Sequence, residues 1–179
     1  VRDIFTYPTV RQMASVLEHR EKADETVIPH VEKKEHYMVY NAQKRIYLMS
    51  AESMGEEGWH IFFCAKMKEK PDIAGLEKAC ARMIDRYEIL RTTFHVKDSR
   101  IVQHVHEKAE FHIDVLDAGN HNPDSVIEEY YAGEYELDRL FLFRIGVIYA
   151  EKEAFLAVDF HHIISDGISM RVFISELYA

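Results

Sequence analysis

Phe155-Leu156-Ala157-Val158-Asp159-Phe160-His161-His162-Ile163-Ile164-Ser165-Asp166-Gly167 carries three signals in one short run. Phe155 to Phe160 has the apolar and aromatic character of a strand. Its first four residues lack any polar interruption, which predicts burial on both faces. Asp166-Gly167 is a turn signal, and a helix is predicted from about Ile168. His161 and His162 sit at the mouth of the strand, where alternation sends adjacent side chains to opposite sides. One imidazole therefore faces inward, where a neighbour fixes its tautomer, and the other faces the space beyond the strand end. An imidazole near neutrality can accept or donate a proton. On the pattern alone, a structural histidine pair and an acid–base site both stand.

Upstream, Phe143 to Tyr149 reads as a second strand, joined to the first through Glu151-Lys152-Glu153. Trp59 to Met67 alternates, with Trp59, Ile61, Phe63, Ala65 and Met67 on one face. Pro71-Asp72 starts a helix reaching Leu90, whose apolar positions Ile73, Leu76, Cys80, Met83, Tyr87 and Leu90 step by three and four. Thr92–Val96, Ile101–His106 and Phe111–Val115 read as short strands. Asp117 to Pro123 reads as a loop, Asp124–Glu134 and Ala42–Ala51 as helices. Helices alternating with hairpin-like strands predict an α/β fold with a mixed, mostly antiparallel sheet.

The chain has 179 residues, enough for one well-filled domain. It holds 22 Lys plus Arg against 31 Asp plus Glu, a net charge of -9. That balance, without any basic run, argues against nucleic acid as a partner. No apolar run is long enough for a bilayer and no basic-then-apolar segment opens the chain, so neither membrane nor export is expected. Cys64 and Cys80 lie among apolar residues without CxxC spacing and read as two buried thiols of a reducing, cytoplasmic compartment. GxSxG and Gly-rich phosphate loops are absent, and no HExxH or CxxC partner supports a metal at the His pair. His104 and His106 share a strand face and read as an exposed edge rather than a chelate.

HHIISDG, His161 to Gly167, resembles the HHxxxDG motif of condensation domains in nonribosomal peptide synthetases, within the superfamily of chloramphenicol acetyltransferase-like folds. Two further segments resemble that family in the same order. Asn41-Ala42-Gln43-Lys44-Arg45-Ile46-Tyr47-Leu48 is similar to its opening motif, with Tyr40 where Ser is usual. Arg86-Tyr87-Glu88-Ile89-Leu90-Arg91-Thr92-Thr93-Phe94 is similar to RHExLRTxF, with Tyr87 where His is usual.

The resemblance implies amide-bond formation between thioesters carried on the phosphopantetheine arms of upstream and downstream peptidyl carrier domains, with no cofactor or metal bound directly. It implies His162 as the catalytic imidazole and His161 as structural. Asp166 is expected in an ion pair with Arg86 or Arg91, and Gly167 is expected to let backbone approach the thioester. An adenylation domain and a second, C-terminal lobe are the other implied partners. An epimerisation domain and a non-catalytic carrier-docking module are the alternatives. Both histidines of the pair disfavour a heterocyclisation domain, and a start at Asp3 to Val10 that resembles the entry to a carrier protein's last helix disfavours an acyltransferase acting on free coenzyme A.

Asp3-Ile4-Phe5-Thr6-Tyr7-Pro8-Thr9-Val10 resembles the start of a carrier protein's last helix. Val10, Met13, Ala14 and Leu17 keep helical spacing behind Thr9 as N-cap, with Arg20 to Lys22 giving a cationic end. The expected division is thus a carrier helix at 1–20, a linker at 21–36, and the N-terminal lobe of a truncated condensation domain at 37–179. A chain so divided is expected to be inactive alone, with an uncovered apolar face.

Overall fold

In the computed structural model, residues 5–18, 31–52, 59–151 and 153–178 are described, and they divide into two units, Val1–Lys33 and Lys34–Ala179. The first unit contains helix α1, Val10–Glu18, none of whose residues is buried. Thr9 and Gln12 start it reciprocally. The Gln12 N–H donates to Thr9 Oγ1 (3.3 Å) and the Thr9 N–H to Gln12 Oε1 (3.3 Å), a capping box. The cationic helix end expected at Arg20 to Lys22, and most of the expected linker, fall at 19–30, outside the described residues.

Among its described residues the second unit has two sheets. The smaller has the order β1-β4-β3, with β1 Tyr37–Met38, β3 Thr92–Lys97 and β4 Arg100–Val105, all antiparallel. Asp98 and Ser99, both at positive φ (49° and 58°), form the tight β3–β4 connection that suits the twist of a hairpin. The larger has the order β2-β7-β6-β5, with β2 His60–Lys66, β5 Asp114–Asp117, β6 Phe143–Ala150 and β7 Glu153–His161. Only β5 against β6 is parallel, and helix α4, Pro123–Tyr131, connects them. Helices α2 (Asn41–Glu52), α3 (Ile73–Arg86) and α5 (Gly167–Leu177) are its other α-helices among the described residues.

The main core lies on one face of the larger sheet. Phe143 and Phe160 are cross-strand partners stacked at 5.2 Å, and Phe173 of α5 meets Phe160 edge-on at 4.9 Å. Cys80, Met83 and Ile84 of α3 close the same cluster. On the opposite face α4 packs over Ala157 and Ile148. A Cβ on Gly146 would lie 2.8 Å from the Tyr130 ring, so glycine lets this helix approach the strand. β7 is buried from Leu156 to His161, as its apolar run requires.

Several expectations change. The long helix stops at Arg86, Tyr87 is extended, and Glu88–Arg91 is a separate 3-10 turn. The strand expected at Phe111–Val115 forms at Asp114–Asp117, because Phe111 packs its ring against Phe141 and Phe143 instead. β4, with His104, is the middle strand of its sheet, covered by the short β1, so the exposed-edge reading of His104 and His106 is corrected. The two rings meet edge-on at 4.6 Å; His104 Nδ1 donates to the Glu35 carbonyl (2.7 Å), and His106 Nε2 lies 3.0 Å from Thr93 Oγ1. Cys80 is buried, but Cys64 is exposed on β2, an edge strand, which corrects the two-buried-thiol reading. No helix among the described residues is long and apolar enough to cross a membrane.

Candidate active site

The end of β7 separates the two histidines as strand alternation demands. His161 is 4% exposed, and its N–H donates to the Leu142 carbonyl (2.8 Å), continuing the ladder. The His162 N–H extends it by one bond, to the Trp59 carbonyl at 2.6 Å. The chain then turns, with the Ile164 N–H on the His161 carbonyl (3.1 Å), and buried Ile163 and Ile164 anchor it.

Backbone partners fix both tautomers, in opposite senses. The Ile163 N–H can only donate, so His161 Nδ1, 3.1 Å away, accepts and carries no proton. The proton of the neutral ring is on Nε2, 3.4 Å from Ser50 Oγ. Burial, reinforced by His60, pushes the pKa of His161 down to about 4 despite the nearby Asp159, so this ring is neutral at pH 7. The Ser165 carbonyl can only accept, so His162 Nδ1, 2.9 Å away, is the donor. In neutral His162 the Nε2 lone pair is thereby left available on an exposed side chain. That is the state a proton acceptor or an amine-orienting group needs.

Asp166 does not pair with Arg86 or Arg91, which corrects the expected ion pair. It is the N-cap of α5, accepting from Ser169 N and Ser169 Oγ, both at 2.7 Å. These bonds hold its carboxyl below the usual range. Arg86 lies on Glu176 (3.4 Å) and over the Tyr87 ring, whose hydroxyl donates to Glu176 Oε1 at 2.6 Å. The second motif therefore reaches α5 at its far end, about 15 Å along the helix from Asp166 at 1.5 Å per residue. Arg91 donates to the His106 carbonyl (3.0 Å) and approaches the Asp85 carbonyl (3.5 Å), tying the end of α3 to the end of β4. At Gly167 a Cβ would meet nothing within 4 Å, so internal packing does not require glycine there.

Two features were not found from the sequence. Gln43, 4% exposed, accepts from the Tyr40 N–H at the start of α2 (3.3 Å) and reaches the Ile163 carbonyl (3.5 Å), joining the opening motif to the His turn. Asp159, fully buried, collects His60 Nδ1 (2.8 Å), Arg144 Nη2 (2.9 Å), Arg144 Nε (3.1 Å) and Tyr135 OH (3.1 Å) on Oδ2 alone. A carboxylate inside a strand predicted to be buried on both faces was the available signal. Tyr135 stands edge-on to His161 at 5.9 Å, and burial followed by Asp159 pushes its phenol pKa up. Tyr135 also lines an open cleft of about 420 Å3 with Tyr47, Ser50, His95, Leu137 and Asp138.

Comparison with known proteins gives the family. Residues 33–179 match the condensation-domain family model. The chain is 34% identical to surfactin synthase subunit 1 of Bacillus subtilis (strain 168), over 99% of its own length and 5% of that protein. It is 33% identical to tyrocidine synthase 3 of Brevibacillus parabrevis, over 98% of itself and 3% of that protein. Among solved structures it resembles the X-domain from teicoplanin biosynthesis in its complex with OxyB, at 28% identity and a TM-score of 0.76, covering 88% of this chain and 35% of that one. The starter condensation domain of the rhizomide synthetase RzmA shares the fold, with a TM-score of 0.70 at 21% identity, over 79% of this chain and 37% of that one. The histidine-bearing strand end, the motifs joined to it and the family match together establish that this chain belongs to the condensation-domain family of nonribosomal peptide synthetases.

Proposed function

We propose that the chain carries the working imidazole of an amide-forming condensation domain. The amine of one carrier-bound aminoacyl thioester attacks the carbonyl of an upstream acyl or peptidyl thioester. A C–N bond forms, the C–S bond breaks, and the proton lost by the amine balances the released thiol. His162 Nε2 is the group that accepts or holds that proton. The single observation supporting this is the His162 ring itself, exposed beyond a buried strand and donating from Nδ1 to the Ser165 carbonyl. Positioning the two tethered reactants supplies much of the rate, and the imidazole completes it. The open space at Gly167 suits the approach of a thioester arm.

In this reading residues 1–20 are the last helix of a carrier domain, 21–36 a linker and 37–179 the N-terminal lobe of the condensation domain. The second lobe, an adenylation domain and the carriers that present phosphopantetheine are its partners, in the cytoplasm. His161 is structural, as its buried neutral ring supports.

The test is His162→Ala in the intact synthetase. Amide formation between loaded carriers should fall by about two to four powers of ten with the fold retained. A folded variant of full activity overturns the reading. The likeness to an X-domain solved in complex with OxyB favours a second reading, a module that recruits a partner protein. Undiminished carrier binding without amide formation by the parent protein would favour it.

A further inference from the structure

The β2 end beside the site is held in a way the motifs do not explain. His60 and His161 are cross-strand partners in β2 and β7, and the residue before His60 supplies the carbonyl that takes the His162 N–H. Among the described residues β2 lies at a sheet edge, with β7 as its one strand neighbour. Its first residue is nevertheless tied inward, because His60 Nδ1 donates to Asp159 Oδ2 at 2.8 Å. Asp159 is itself held by Arg144, whose Nη2 also donates to the Tyr131 (3.1 Å) and Gly133 (2.7 Å) carbonyls. Asp159 Oδ1 is buried and unpartnered, so the carboxylate is not arranged for its own best solvation. Buried ion pairs add little net stability compared with apolar packing, and fixing one geometry is their better-attested use.

We propose that His60 is a positioning residue for amide formation: anchored on Asp159, it holds the start of β2 so that the Trp59 carbonyl fixes the His162 backbone and the aim of Nε2. The inference rests on the reading of His162 given above. His60 acts through backbone geometry and need not touch substrate. A displacement of about 1 Å at a reacting group can cost about a hundredfold in rate.

The experiment is a rate comparison in the full-length synthetase, with a loaded acceptor carrier titrated in trans. His60→Ala should lower the saturating rate about ten- to a hundredfold and leave the half-saturating carrier concentration unchanged. His60→Gln keeps a side-chain N–H donor toward Asp159 and should restore most of the rate. In the His162→Ala background, His60→Ala should cost nothing further, because the two act as one unit. Three outcomes overturn the inference alone while His162→Ala keeps its large loss and a measurable residual rate: a His60→Ala rate within about twofold of the parent, failure of His60→Gln to rescue, or additive losses in the double variant. Full activity of His162→Ala instead removes the reading of His162, and this inference with it.

Discussion

On one face of the four-stranded sheet Phe143, Phe160 and Phe173 close ring against ring. On the other, a few ångströms through the same backbone, Asp159 gathers His60, Arg144 and Tyr135. The apolar face contributes through area removed from water, a non-directional gain that tolerates repacking if volume is kept. The Asp159 cluster contributes little net energy beside the apolar packing of α4 on the same face, yet its bonds are directional and converge two residues before His161. The two faces divide the work: aromatic packing keeps β6 and β7 folded, and the Asp159 hub orients the end of β7, where the histidines diverge.

The sharpest way to break that comparison is to replace the buried charges of the Asp159 cluster with apolar side chains. Asp159→Ala alone leaves the Arg144 guanidinium, 19% exposed, beside a void and should cost about 3–5 kcal/mol in chemical denaturation. The double change Asp159→Leu with Arg144→Met removes both charges at similar volume and should recover most of that stability. Amide formation should stay low in both variants. Activity returning with stability would show that the hub serves folding only.

The apolar face was the more legible of the two. The β6 and β7 runs, the Asp166-Gly167 turn and the spacing of Ile73 to Met83 follow from periodicity and turn chemistry, which are local properties. The pairing of His60 with Asp159, 99 residues apart, has no local signature; only the oddity of a carboxylate in a buried strand hinted at it. The Asp166 ion pair failed for a related reason. A motif arginine and a motif aspartate imply attraction, but the Ser169 hydroxyl and N–H sit one helical turn from Asp166 and satisfy it first. β1 was missed because two residues are too short to show alternation, and that omission turned the central strand β4 into an expected edge.

A smaller effect concerns the buried His161 and pH. The pKa of His161 is about 4 in the fold against 6.5 for a free imidazole, so between these values the unfolded chain binds the extra proton. Stability therefore rises with pH across that window, is complete above about pH 6.5, and is lost as pH falls toward 4. The full span is about 3 kcal/mol. His161→Asn offers an acceptor to the Ile163 N–H without a titrating ring, and should flatten the stability profile from pH 4 to 6.5. An unchanged slope would assign the acid loss to other groups.

The smallest effect is expected at Asp166, and it tests whether the turn after β7 is set by a buried ion pair or by its own backbone. An ion-pair role would make Asp166→Asn costly, because Arg86 or Arg91 would lose its counter-charge. As an N-cap, Asn serves as well as Asp, so Asp166→Asn should leave the melting temperature nearly unchanged. Asp166→Ala removes the acceptor for the Ser169 N–H and should cost about 1 kcal/mol. The depressed carboxyl adds a direction in pH. Its stabilising contribution is present above the ordinary carboxylate range and fades as acid protonates it, in the parent chain but not in Asp166→Asn. A large loss in Asp166→Asn, matched by Arg91→Met, would restore the ion pair and move the anchor of the histidine turn from α5 to the second motif.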